Sequence, residues 1–146
     1  QVVLAGRRIN DGMSKWIMEQ IVLSMAKLNL TIGGARILIL GLTFKENCPD
    51  LRNTKVFDLI SLANDYGMKC TVIDPWVNPK NIKDINFEFH LEKPLKKDYS
   101  CVILAVGHDL FKTYTKDEWE SLISKKNGII FDLKGIVPRE LKPIRI

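Results

Sequence analysis

A chain of 146 residues, 46% hydrophobic and 27% charged, has the length and make-up of one ordinary globular domain, which excludes a disordered or low-complexity protein. Its net charge of +5 comes with scattered lysines such as Lys96, Lys97, Lys125, Lys126 and Lys142; no aromatics are interleaved with them, so they read as solvated surface and not as a nucleic-acid face. Three cysteines (Cys48, Cys70 and Cys101) lack metal-ligand spacing, no apolar run approaches the roughly 18 residues of a membrane span, and a cytoplasmic setting is expected.

In chain order, residues 2–5 are a short apolar lead-in, followed by Arg7, Arg8 and Asn10-Asp11-Gly12, a helix-start pattern. Met13, Trp16, Ile17, Ile21, Met25 and Leu28 recur at helical spacing, and Met18, Val22 and Leu23 widen the apolar arc. A helix apolar on more than one side is expected to be covered from more than one side. Gly33-Gly34 is the expected end of this element. Residues 36–42 form an apolar run bounded by glycines, as in a buried parallel strand. A polar turn follows, with Asn53 or Thr54 as candidate N-cap. Val56, Leu59, Ile60 and Ala63 then predict a core-facing helix stopped by Gly67. Residues 69–74 predict a second strand, completing a βαβ unit.

Residues 78–83 read as loop, 87–90 as a short strand, and 91–97 are ambiguous around Pro94. Residues 101–106 predict a strand buried on both faces. Thr115 and Glu118 make a capping box ahead of a helix that turns Trp119, Leu122 and Ile123 inward and stops at Asn127-Gly128. Residues 128–133 predict a further strand. Alternating strands and helices give the fold class: α/β, a Rossmann-like open, mostly parallel sheet with helices on both faces, preceded by a long helix.

The chemistry concentrates in residues 36–54. A turn at the carboxyl end of an α/β strand is where such folds bind ligands, and a helix start favours anions. Gly41 does not open a dinucleotide fingerprint, because Leu42, Thr43 and Phe44 follow it instead of further glycines. A phosphate here would rely on side-chain cations: Lys45 as a point charge and Arg52 as a rigid fork, with Phe44 offering an apolar face to a base or sugar. Solvated loop charges are the equal alternative on chemistry alone. Lys134, just past the strand at 128–133, would open onto the same edge if that strand is parallel to the first. Cys48 near a helix start invites a thiolate reading, but no general base stands beside it, and an incidental loop cysteine is favoured. His90 and His108 read as structural or solvated, Asp74 as a turn residue before Pro75, and no metal-ligand cluster is present.

Taken together, GLTFKENCPDLRNTK (41–55), VIDPWV (72–77), VILAVGHDLF (102–111), IIFDLKGIV (129–137) and the lead-in LAGRRIND-M resemble the C-terminal nucleotide-sugar-binding domain of the UDP-glucose/GDP-mannose dehydrogenases. The form FKENCPDLRNTK is most similar to the branch acting on UDP-N-acetylhexosamines. The resemblance implies an NAD-dependent oxidation of C6 of a UDP-sugar in polysaccharide synthesis. It implies substrate contacts from Phe44, Lys45 and Lys134, the last standing where many members carry arginine. It also implies a cofactor contact from Arg52 across an interdomain cleft, and an orienting role for Asp50. Residues 1–33 would be an interdomain and homodimer-forming helix segment, and residues 34–146 the UDP-sugar-binding domain. NAD would be held mainly by a preceding domain, since the GxGxxG and G-G-S-C motifs of the family have no counterpart here. The chain, which starts at Gln1, is then a catalytically silent piece of a longer enzyme. The alternative is a standalone nucleotide-binding or interaction module.

Overall fold

The computed structural model describes residues 9–10, 12–83, 86–92, 98–124 and 127–145. The lead-in at 2–5, Arg7, Arg8, Asp11 and residues 93–97 lie outside them. Helix α1 (Met13–Lys27) precedes strand β1 (Arg36–Leu40), helix α2 (Val56–Asp65), β2 (Lys69–Ile73), β3 (Glu88–His90) and β4 (Cys101–Leu104). Two short helices, α3 (Asp109–Lys112) and α4 (Lys116–Leu122), lead to β5 (Ile129–Asp132), and β6 (Ile144–Arg145) closes the chain. The strands form one sheet in the order β3-β2-β1-β4-β5-β6, and every pair is parallel. The expected α/β class is thus realised as a six-stranded doubly wound sheet. Among the described residues no helix is long and apolar enough to cross a membrane.

Parallel strands covered on both faces are apolar on both, and their side chains divide by the two-residue period. In register across the sheet, Phe89, Val72, Ile39, Ile103, Phe131 and Ile144 form one row, facing the layer of α1 and α2. Leu38, Val102 and Ile130 form a row on the opposite face, under Phe111, Tyr114, Trp119 and Leu122 of the α3–α4 segment. The capping box on α4 is present in full, Thr115 Oγ1 accepting from the Glu118 amide at 3.2 Å and Glu118 Oε1 from the Thr115 amide at 3.0 Å. Gly67 takes the left-handed turn after α2, with φ of 79°.

Four features differ from the sequence reading. Helix α1 stops at Lys27 instead of running to the glycines, because Asn29 enters the left-handed region at φ 58°. Its buried face is Ser14, Ile17, Met18, Ile21 and Met25, whereas Trp16, Leu23 and Leu28 are exposed. Lys55 stands at the N-cap position of α2 without a side-chain cap bond, and Thr54 one residue earlier supplies it, its hydroxyl accepting from the Val56 amide at 3.3 Å while donating to the Leu42 carbonyl at 2.8 Å, so that it fastens the end of the loop to its start. Helix α4 ends at Leu122, and Ile123 passes into a bridge with Tyr99. Strand β6 was not expected at all. It is two residues long, and it is defined by its pairing with Phe131 and Asp132 rather than by any pattern of its own.

Gly41 has a steric explanation. Its φ is 100°, and a Cβ there would lie 2.4 Å from the Val106 Cβ and 2.8 Å from the Val106 amide nitrogen. The exits of β1 and β4 therefore touch at a point that admits no side chain. Gly41→Ala is expected to destabilise the fold by about 2–4 kcal/mol, since backbone strain and overpacking act together; urea denaturation measures it.

Candidate functional site

In the order β3-β2-β1-β4-β5-β6 the direction of winding reverses between β1 and β4, so the loops leaving these two strands diverge and leave a crevice. The β1 exit runs through residues 41–55 and carries Phe44, Lys45 and Arg52. Thr54 closes its base, and the Phe44 amide donates to the Asp50 carbonyl at 2.8 Å across its neck.

What fixes this loop is a side chain from the neighbouring strand. Asp74 ends β2 with 0% exposure. Its Oδ2 accepts from the Leu42 amide at 2.7 Å, the Thr43 amide at 3.1 Å and His108 Nε2 at 2.8 Å, while Oδ1 accepts from the Trp76 amide at 2.8 Å. Burial alone would raise the carboxyl's pKa; the His108 hydrogen bond and the Leu42 and Trp76 amides outweigh it, so Asp74 is held below the ordinary carboxylate value. The turn reading holds for Oδ1, which closes an Asx turn onto the Trp76 amide; the Oδ2 contacts to Leu42, Thr43 and His108 are what the sequence reading lacked. Asp74 is unavailable to a ribose, being enclosed by its own chain.

His108, also fully buried, is the partner from the β4 exit. Its Nδ1 accepts from the Asn47 amide at 2.8 Å, which places the ring hydrogen on Nε2, where it points to Asp74 Oδ2. Thr43 Oγ1 lies 3.0 Å from the same Nε2 and donates to the Lys45 carbonyl at 3.0 Å. Asn47 Oδ1 accepts from the Asp109 amide at 3.0 Å. The Trp76 ring is stacked near the imidazole at 6.5 Å, and Phe111 lies at 5.8 Å.

Above this layer lies a depression lined by Ile9, Phe44, Lys45, Glu46, Thr54, Lys55, Val56, Ala105, Val106 and Lys134. Phe44, Lys45 and Lys134, which come from two different loops, are brought together here. Lys55 and Ile9 join them; the sequence reading missed both. Lys134 is placed by a second buried aspartate: Asp132, at the end of β5, accepts from the amides of Lys134, Gly135 and Val137 at 3.0, 2.8 and 2.9 Å, and from Arg145 Nε at 3.3 Å. Three lysines and one carboxylate, Glu46, line this hollow; lysine is suited to phosphate oxygens, and Phe44 offers an apolar face to a base or sugar.

Arg52 does not line the depression. Its side chain is 87% exposed and forms a two-armed hydrogen bond to Asp50, Nε to Oδ1 at 3.1 Å and Nη2 to Oδ2 at 3.2 Å. That contact lowers the Asp50 pKa and raises that of Arg52. The β1 turn offers no glycine cradle for a dinucleotide, since Gly41 is packed on Val106 and Asp74 is enclosed.

Cys48 is half-buried in the loop, and the His108 imidazole is committed to Asn47 and Asp74. Burial pushes the Cys70 thiol up to about 12 and raises that of Cys101 further, as expected of inert core cysteines. His90 sits at the far edge of the sheet, 2.8 Å from Glu88. Among the described residues no cluster of His, Cys, Asp or Glu could hold a metal.

A family model for the UDP-binding domain of the UDP-glucose/GDP-mannose dehydrogenase family matches residues 38–139. The chain belongs to this family. The matched span includes Phe44, Lys45, Arg52 and Lys134. Among relatives, the UDP-N-acetyl-D-glucosamine 6-dehydrogenase of Salmonella typhi is 34% identical over 146 residues, covering 100% of this chain and 34% of that protein. The protein of the same name from Pseudomonas aeruginosa is 38% identical, with the same coverage. Protein CapL of Staphylococcus aureus is 41% identical over 137 residues, covering 94% of this chain and 32% of that protein. The chain thus spans about a third of the length of these curated relatives. In fold it is similar to the crystal structure of the NDP-N-acetyl-D-galactosaminuronic acid dehydrogenase of Methanosarcina mazei Go1, with a TM-score of 0.78 at 20% identity over 88% of this chain and 26% of that one.

The Asp74 network gives a signed pH dependence. Its pKa is depressed below the ordinary 3.8, so the stability it contributes is present above about pH 4 and is lost as the pH falls through the lower folded value. Asp74→Asn is expected to cost about 2–4 kcal/mol at pH 7. The gap to the parent chain should narrow on acidification below pH 4, measured by denaturant titration across pH.

Proposed function

We propose that this chain is the UDP-sugar-binding C-terminal part of a nucleotide-sugar 6-dehydrogenase, which oxidises a UDP-N-acetylhexosamine (or UDP-glucose) to the uronic acid with NAD in cytoplasmic polysaccharide synthesis. The observation that carries this reading is the convergence of Phe44, Lys45, Lys55 and Lys134 on one depression at the reversal of the sheet, in a chain whose family domain is described as UDP-binding. Phe44 would face the uridine end, and Lys45 and Lys134 would hold the diphosphate. The names of the relatives in Salmonella and Pseudomonas, both UDP-N-acetyl-D-glucosamine 6-dehydrogenases, support the substrate class.

The remaining parts of the reading follow from that placement. Arg52, exposed and clear of the depression, would reach NAD held on a preceding domain; the pairing with Asp50 keeps the guanidinium oriented while leaving it in solvent. Residues 1–33 would link that domain to residues 34–146 and form the homodimer contact; the exposed Trp16, Leu23 and Leu28 of α1 support a covered outer face. No reacting group is assigned within this chain.

The test is made on the full-length protein. It is expected to reduce NAD with a UDP-N-acetylhexosamine, whereas residues 1–146 alone bind UDP weakly and reduce no NAD. Lys45→Ala should weaken UDP binding by about 1–3 kcal/mol, the loss of a charge-assisted contact, read by titration calorimetry. Arg52→Ala should instead raise KM for NAD or lower turnover. Parental kinetics in both variants would remove the site assignment.

A further inference from the structure

Lys45 sits in a connection of fifteen residues, 41–55, that contains no regular secondary structure. Such a loop is costly to hold in one shape, and a cation placed on it is only as well aimed as the backbone beneath it. The two residues that flank Lys45 at equal distance are both tied to one imidazole. Thr43 lies 3.0 Å from His108 Nε2 through its hydroxyl, and that hydroxyl also donates to the Lys45 carbonyl. Asn47 donates its amide to His108 Nδ1 at 2.8 Å. Asn47 also returns a bond to the other wall of the crevice, its Oδ1 accepting from the Asp109 amide. It adopts φ of 54° to do both, a left-handed conformation that asparagine tolerates better than most residues.

We infer that Asn47, His108 and Asp74 form a positioning relay for the nucleotide site, in which Asp74 fixes the tautomer of His108 and the Nδ1 of His108 then sets the loop that aims Lys45 at the ligand's diphosphate. This rests on the UDP-binding reading above. None of the three residues touches the ligand; each acts through the backbone of residues 42–47. Buried on all sides and engaged at both nitrogens, His108 has no opening to substrate, so its contribution is geometric. The logic is that of an outer-shell carboxylate orienting an imidazole, applied to a loop amide in place of a metal.

The two nitrogens can be separated by substitution. His108→Asn keeps an acceptor near the place of Nδ1, and His108→Gln keeps a donor near the place of Nε2. Titration of UDP into the full-length protein is expected to show His108→Gln weakened about tenfold to a hundredfold, the size of effect that a small misplacement produces. His108→Asn should stay within about threefold of the parent, although it loses its Asp74 partner and melts lower. A purely structural histidine predicts the reverse order, affinity following Tm. Asn47 is exposed, so Asn47→Gly serves where a His108 variant fails to fold. Glycine keeps the backbone conformation and amide but loses the bond to Asp109, and UDP binding should weaken about threefold to tenfold through loop disorder with Tm little changed. Parental UDP affinity in Asn47→Gly and His108→Gln overturns the relay and leaves the proposed function standing. Failure of the unaltered full-length protein to bind UDP overturns both.

Discussion

The structure of the crevice depends on one carboxylate in a place where a charge is expensive. Asp74 is fully enclosed at the end of β2, and the cost of removing it from water is offset by four donors, three from backbone amides and one from an imidazole. Two of those amides, Leu42 and Thr43, are successive residues leaving β1. Without an acceptor they would be buried donors at the mouth of a strand that has run out of partners, a state that proteins rarely tolerate. The carboxylate therefore lets the chain leave the sheet as an irregular loop without losing hydrogen bonds, and the loop is where the cations stand.

The same device occurs twice. Asp132 ends β5 as Asp74 ends β2, and it gathers the amides of Lys134, Gly135 and Val137 while Arg145 of the edge strand pairs with it from outside. In both cases a buried acid fixes the backbone of a loop, residues 42–43 for Asp74 and 134–137 for Asp132, and a lysine at or just after the fixed residues, Lys45 or Lys134, lines the depression. Positive charge at the surface thus stands on negative charge beneath it. The sequence distance between the two loops, from Lys45 to Lys134, is spanned by register alone: β1 pairs with β4, and β4 with β5.

The strands, α2 and the capped α4 were legible because each is written locally, in an apolar run or a helical stripe bounded by glycine or Thr115. The position of the site was legible too, because a polar turn after a buried strand carries its own meaning in this fold class. Asp74 and His108 were not, since, apart from the Trp76 amide two residues on from Asp74, their partners lie 31 to 65 residues away; the turn beside Pro75 accounts for one oxygen of the aspartate, and only the fold supplies the partners of the other. Lys55 carried no signal in the sequence, and only the fold sets it beside the same depression as Lys134. The sequence around Gly41 excluded a dinucleotide fingerprint but left the reason for a glycine open; the fold supplies it, because Val106 takes the space of a side chain. Strand β6 is invisible to any periodicity argument because two residues have no period.

Asn47 links the surface to the interior in a further way. Its amide is hydrogen-bonded to an aromatic nitrogen instead of a carbonyl oxygen, so its magnetic environment depends on which ring nitrogen of a buried residue holds the hydrogen. In a proton–nitrogen correlation spectrum this single resonance is a direct reporter of the imidazole's tautomer, and a through-bond coupling across the contact would identify the acceptor atom. An exposed residue thereby makes the state of an enclosed one observable without a mutation or a bound ligand.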